Sequence, residues 1–226
     1  GHAYTAVGGW RDNYPQTITS KYPIETLLKI TDTEQAGKPV SHGAAIQQVT
    51  VKGHKINVVT LHTWPQAYAF GVTGSANQAA SAANKEGDKY REFEIKYICA
   101  QTVNNPAYAS CQDWLMMGDF NSFSPLDKND LSGGNTINYQ VHQTILDNGY
   151  RDPVREMNIN FVRSCPTIYG GWTGPTESYK GSRIDFIYAS GEAMRNMLNA
   201  QILMDNFTDN YSDHYPVTVT CRIYNE

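Results

Sequence analysis

In the stretch Trp114-Leu115-Met116-Met117-Gly118-Asp119-Phe120-Asn121-Ser122 an apolar run stops at a glycine, and an acid and an amide follow two residues apart. Side chains alternate across a strand, so a strand running into this stretch aims Asp119 and Asn121 at the same point. A carboxylate and a side-chain carbonyl are hard oxygen donors, the kind that hold Mg²⁺. Asp and Asn are also ordinary turn formers, and a strand ending in a polar turn is the competing reading of these residues alone. Two later segments, Ser182-Arg183-Ile184-Asp185-Phe186-Ile187-Tyr188 and Tyr211-Ser212-Asp213-His214-Tyr215-Pro216-Val217, again set acids and a histidine beside apolar strands. Hydrolysing a phosphate ester needs a nucleophilic water and relief of charge on the phosphoryl and leaving oxygens, which a metal and a nearby base supply together.

In this order, Gly118-Asp119-Phe120-Asn121, then Arg183-Ile184-Asp185-Phe186-Ile187, then Ser212-Asp213-His214-Tyr215-Pro216-Val217 resemble the motifs of the endonuclease/exonuclease/phosphatase superfamily. These are metal-dependent phosphoesterases similar to deoxyribonuclease I and exonuclease III. Each motif is short, and the three together carry the resemblance. It extends to Ser20-Lys21-Tyr22-Pro23-Ile24, similar to a superfamily element that follows an early strand. The resemblance implies an Mg²⁺- or Mn²⁺-dependent hydrolysis of a phosphate mono- or diester by water. It implies that Asp213 is a metal-site carboxylate and His214 the general base, with Asp185 fixing the tautomer of His214. Asp119 and Asn121 match residues that position the water or metal and bond to the phosphate. His62 matches a histidine that stabilises phosphate charge, although Thr60 stands where the superfamily usually has Asn.

One departure matters. Superfamily members open with a strand carrying an Asn and, one helix later, a Gln-Glu pair whose Glu is the principal metal ligand, and neither is found here. Gly1 falls after that Glu, so residues 1–226 read as a single, N-terminally incomplete domain. The resulting expectation is a metal position open on one side. The alternative is a degenerate, non-catalytic binding protein on the same scaffold.

Outward from the motifs, Lys55-Ile56-Asn57-Val58-Val59-Thr60-Leu61-His62 reads as an apolar strand with a polar end, with Trp64 just beyond it. Residues 25–33 and 43–51 read as paired strands around a turn-rich stretch, and 16–20 as a short strand. From about residue 75 to 103 the alternation gives way to a helical pattern that starts afresh near Gly87, and a second helix is expected near residues 139–147, stopped by Asn148-Gly149. The glycine-, proline- and aromatic-rich run 165–176 reads as a surface loop, and the last two strands are expected at 183–189 and 214–223. The loop and strand-end aromatics Trp64, Tyr169 and Trp172 are candidates for contact with substrate. Strands rich in Val, Ile and Thr with few long helices predict an α/β fold, a four-layer sandwich of two stacked mixed sheets flanked by helices.

The chain has 226 residues, a formal charge of −4 and no long hydrophobic run, so a soluble protein with no transmembrane segment is expected. An acidic chain with no basic stripe favours a small phosphorylated molecule or a lipid headgroup over duplex DNA, with nucleic acid remaining within the class, and a monomer is expected. Cys99, Cys111, Cys165 and Cys221 match no zinc spacing. Their even number and the low charged fraction fit either an exported, disulfide-permissive protein, slightly favoured, in which Cys99 and Cys111 are expected to pair across a short loop, or four buried free thiols.

Overall fold

The computed structural model describes residues 1–9, 15–30, 34–35, 38–40, 43–65 and 87–223. Along the chain these form β1 (Tyr4–Val7), β2 (Thr17–Ser20), β3 (Ile24–Ile30), β4 (Glu34–Gln35), β5 (Lys38–Pro39), β6 (Ala44–Val51), β7 (His54–His62), α1 (Gly87–Gln101), β8 (Trp114–Asp119), α2 (Gln140–Asp147), α3 (Pro153–Met157), β9 (Asp185–Ala189), α4 (Gly191–Arg195), β10 (Met197–Ile202), α5 (Thr208–Tyr211) and β11 (Val217–Cys221). The expected strand pair 25–33 and 43–51 is β3 with β6, antiparallel. Residues 31–33, the helical pattern before Gly87 and the early Trp10-Arg11 punctuation lie outside the described residues. β10 and α4 were not foreseen.

β3, β6, β7, β8 and β9 form one sheet in that order. It is mixed because β7 and β8 run parallel while the other neighbours run antiparallel. A parallel pair needs a long crossover, and the chain between β7 and β8 supplies it with α1. Alternation then sorts the two faces. On one face Ile46, Val59, Leu61, Met116, Phe186 and Tyr188 pack with Ile95, Ile98 and Cys99 of α1 and Val141 and Ile145 of α2 in a single core. Each such fully buried side chain contributes roughly 1.5–3 kcal/mol.

The other face carries a second β layer. Met197 of β10 and Val219 and Cys221 of β11 pack on Leu115 and Ala189. Further along, Gln47 Nε2 donates to Ala6 O of β1 at 3.3 Å. α3 closes the far side of β10, with Val154 against Ala200 and Ile202. The architecture is the expected α/β sandwich, with one refinement: among the described residues only the five-stranded sheet is mixed, and the second layer consists of the antiparallel pairs β1–β2 and β10–β11.

The expected Cys99–Cys111 disulfide is not formed, and all four cysteines are free. Cys99 belongs to the core under α1, where burial pushes its thiol up to about 12. Cys111 Sγ instead faces the carbonyls of Lys55 and Asp113, at 3.5 and 3.4 Å.

Gly118 is where β8 must pass closest to β7. Its φ is +149°, and a Cβ there would lie 1.9 Å from Leu61 O. Gly118→Ala is therefore expected to destabilise the fold by about 2–3 kcal/mol, since backbone on both sides must yield. Urea unfolding measures this, and a midpoint equal to that of the parent protein would refute the close approach.

Candidate functional site

Sheet register places three of the motif residues side by side. His62 is the partner of Asp119 across β7–β8, and Asp119 is the partner of Asp185 across β8–β9. Paired residues point to the same face, so all three meet at one end of the sheet on the side of the second β layer. His62 Nε2 lies 3.6 Å from Asp119 Oδ2. His214 arrives from the chain before β11, and its Nδ1 is 2.8 Å from Asp185 Oδ2. One ligand atom each of Asp119, Asp185 and His214 lie within 4.8 Å of one another. Residues separated by more than ninety positions thus share one cleft of about 480 Å³, whose walls include Thr17, Thr60, Met117, Ile187 and Tyr215.

Each group is held from behind. Ser164 Oγ donates to Asp185 Oδ2 at 2.7 Å and accepts from the backbone N–H of Ile184 and Asp185 at 3.0 and 3.1 Å. Asp119 Oδ1 accepts from the Asn121 N–H at 2.8 Å. The turn 120–122 sits on His142, which is fully buried and bonded to Tyr188 Oη at 2.7 Å and Ser122 Oγ at 2.8 Å. Burial pushes that imidazole down to about 3, so it stays neutral and braces the turn. Arg183, the first residue of the second motif, is 1% exposed. It donates from Nε to Asp127 Oδ2 at 2.8 Å and from Nη2 to Asp152 Oδ2 at 2.6 Å. Burial pushes Asp127 up to about 6 against the pull of Arg183.

The remaining candidates occupy different surroundings. Asp213 is at the rim, 67% exposed at its side chain, with Oδ2 4.0 Å from His214 Nε2. Asn121 has a left-handed backbone, φ 47°, is 2% exposed and donates from Nδ2 to Thr63 O at 3.3 Å. Its amide nitrogen therefore ties β8's turn to the end of β7. Trp64 is anchored to α1 through its backbone, the main-chain N–H donating to Glu94 Oε2 and the carbonyl accepting from Arg91 Nη1, both at 2.8 Å, and its ring meets Tyr90 of α1 edge-on. The indole of Trp172 lies under the Arg163 guanidinium, 3.9 Å from its centre, and edge-on to Tyr179. That stack holds the expected 165–176 loop together. Tyr169, on the same loop, is 65% exposed. Ser164, His142 and Asp127, which position the site, had no local signal, because each acts on a residue at least twenty positions away.

Electrostatics point to a cluster that wants positive charge. Burial, then the neighbouring Asp185, pushes Asp119 up to about 7. Burial alone would lower His214, but the Asp185 hydrogen bond and the nearby Cys165 sulfur push it up to about 12. Two carboxylates and an imidazole at this separation suit a divalent cation with oxygen and nitrogen donors.

The shifted groups make stability depend on pH. The folded pKa of Asp119 lies above its ordinary 3.8, so between about pH 4 and pH 7 the folded chain holds a proton the unfolded chain has released. Stability should fall as pH rises through that window, and the raised His214 adds a loss at higher pH, above its ordinary 6.5. Thermal melts in chelator should show this decline, with Asp119→Asn flattening it below pH 7. An equal decline in the variant would assign the effect to other acids.

No family model matches the chain, and no curated protein matches it. Solved structures do. A 3′-5′ exonuclease from Neisseria meningitidis is 16% identical with a TM-score of 0.59, covering 96% of this chain and 79% of that one. An AP endonuclease from Archaeoglobus fulgidus is 14% identical with a TM-score of 0.61, covering 97% and 79%. An endonuclease/exonuclease/phosphatase family protein from Leptotrichia buccalis is 14% identical with a TM-score of 0.58, covering 97% and 72%. The chain therefore has the fold of endonuclease/exonuclease/phosphatase structures, as its three motifs implied.

Proposed function

We propose that this protein is a divalent-metal-dependent phosphoesterase that hydrolyses a phosphate ester by attack of water, with His214 as general base. The observation that carries this reading is the cluster of Asp119, Asp185 and His214, delivered to one cleft by two strand registers and a third, distant segment. Asp119 and Asp185 would hold Mg²⁺ or Mn²⁺, with Asp213 at the rim as a further carboxylate. When bound, such an ion neutralises charge on the phosphoryl oxygens, lowers the pKa of water and favours the neutral imidazole. Asp185 keeps His214 oriented through Nδ1, which leaves Nε2 toward the cleft for the proton of the attacking water. His62, 3.6 Å from Asp119, would stabilise phosphate charge.

A small phosphate ester or a lipid headgroup is the favoured substrate, because the chain carries a net charge of −4. Nucleic acid is the second reading, supported by the exonuclease and endonuclease among the similar structures. The test is release of nitrophenolate from bis-p-nitrophenyl phosphate by the full-length protein. Hydrolysis that requires Mg²⁺ or Mn²⁺ and stops with chelator is expected. A folded protein with no metal-dependent hydrolysis would instead be a non-catalytic binding protein on this scaffold.

A further inference from the structure

Beside the cleft lies an aromatic patch that no part of the hydrolytic chemistry uses. Ile168, Tyr169, Phe207 and Tyr211 are 61, 65, 74 and 71% exposed. The rings of Phe207 and Tyr211 are 5.0 Å apart, one helical turn from each other. The loop bearing Ile168 and Tyr169 is tied to the same helix, since Tyr169 N–H donates to Asp209 O at 3.0 Å and Ile168 N–H to Asp209 Oδ1 at 3.3 Å. Four large exposed apolar side chains are thus held together on a hydrogen-bonded frame. The frame adjoins the site, because Thr167 N–H donates to Asp213 O at 3.1 Å and a Cβ on Gly170 would meet Asp213 Cβ at 3.0 Å.

Charge selects the occupant. Segments 164–179 and 196–221, which build the patch, contain Glu177, Asp205, Asp209 and Asp213 and no Lys or Arg, with Lys180, Arg195 and Arg222 immediately beyond their ends. Arg163, which borders the first segment, is engaged between the Trp172 and Tyr215 rings and donates to Pro166 O. A polyanion, whether nucleic acid or an anionic bilayer, meets repulsion there. Tyr favours the headgroup level of a bilayer and Phe buries its ring just beneath it, and aromatic faces with nearby acids attract quaternary ammonium groups.

We infer that Ile168, Tyr169, Phe207 and Tyr211 seat the protein on a zwitterionic, choline-bearing bilayer, which presents headgroup phosphates to the cleft at Asp213. This deepens the phosphoesterase reading and rests on it for the chemical step after docking. Binding itself is read without hydrolysis, by floating the full-length protein with phosphatidylcholine vesicles in chelator. Co-flotation is expected, weakened roughly tenfold by F207S/Y211S with an unchanged melting temperature, and weakened also when phosphatidylserine is added. Should that variant melt early, Ile168→Ser with Tyr169→Ser on the facing loop replaces it. Absence of flotation, equal flotation of the variants or a preference for anionic vesicles would overturn the inference. So would binding of a single-stranded oligonucleotide, sensitive to these substitutions, without vesicle binding. Hydrolysis of the soluble diester involves no docking, so loss of the phosphoesterase reading would be seen separately.

Discussion

His214→Ala in the full-length protein is expected to lower kcat by about 10²–10⁴-fold with little change in KM, the loss that removal of a general base produces. The side chain is part-exposed and contributes to none of the four apolar clusters of the core, so the melting temperature in the presence of metal should move little. Asp185→Asn should also slow turnover. An amide can donate to Nδ1 and stabilise the wrong tautomer, while Ser164 keeps the side chain in place. The two substitutions act through one proton path, so their combination should cost scarcely more than His214→Ala alone. Full activity in His214→Ala, or additive losses in the double variant, would remove His214 from the base role.

Arg183→Leu is expected to be the most destabilising single change at the site's foundation, about 3–5 kcal/mol. The guanidinium is buried between Asp127 and Asp152 and lies over the Phe186 ring, 4.4 Å from its centre. Removing it leaves two buried carboxylates without their shared partner, and burial already pushes Asp127 up. Asp152 also caps α3 by accepting from Arg155 N–H at 3.2 Å, so the damage spreads from β9 to the helix. Urea unfolding should show the loss, and it should shrink at low pH, where the stranded acids take up protons. A change below about 1 kcal/mol would mean that the network adds nothing to stability.

Much of the site was legible as local chemistry. An apolar run that ends in an acid, at Gly118-Asp119, and one that opens on an acid, at Asp185-Phe186-Ile187, marked strand ends because alternation and turn propensity act over a few residues. The order of the three motifs pointed to the fold, and the paired strands β3 and β6, the helix from Gly87 and the loop at 165–176 followed from pattern alone. β7 was likewise legible as an apolar strand with a polar end.

Register and long-range packing decided the rest. No spacing rule says that His62, Asp119 and Asp185 become direct neighbours across three strands, because strand pairing is the sum of many weak contacts between distant segments. Asn121 was read as aimed with Asp119, since strand alternation assumes the strand continues. Its left-handed backbone breaks that alternation, and its amide nitrogen bonds Thr63 O. Trp64 and Trp172 carried the same aromatic signal as Tyr169, yet the Trp64 ring meets Tyr90 edge-on and Arg163 stacks on the Trp172 indole, while Tyr169 stays open. Cys99 and Cys111 are close in sequence yet unbonded, Cys99 buried on the core side of α1 and Cys111 turned to the carbonyls of Lys55 and Asp113 before β8. The sequence by itself determined which chemical groups stand at the strand ends, because residue type and short-range periodicity are local properties. Only the tertiary structure decided which of them meet, which are used up as braces and which face solvent, because those outcomes depend on partners twenty to ninety residues away.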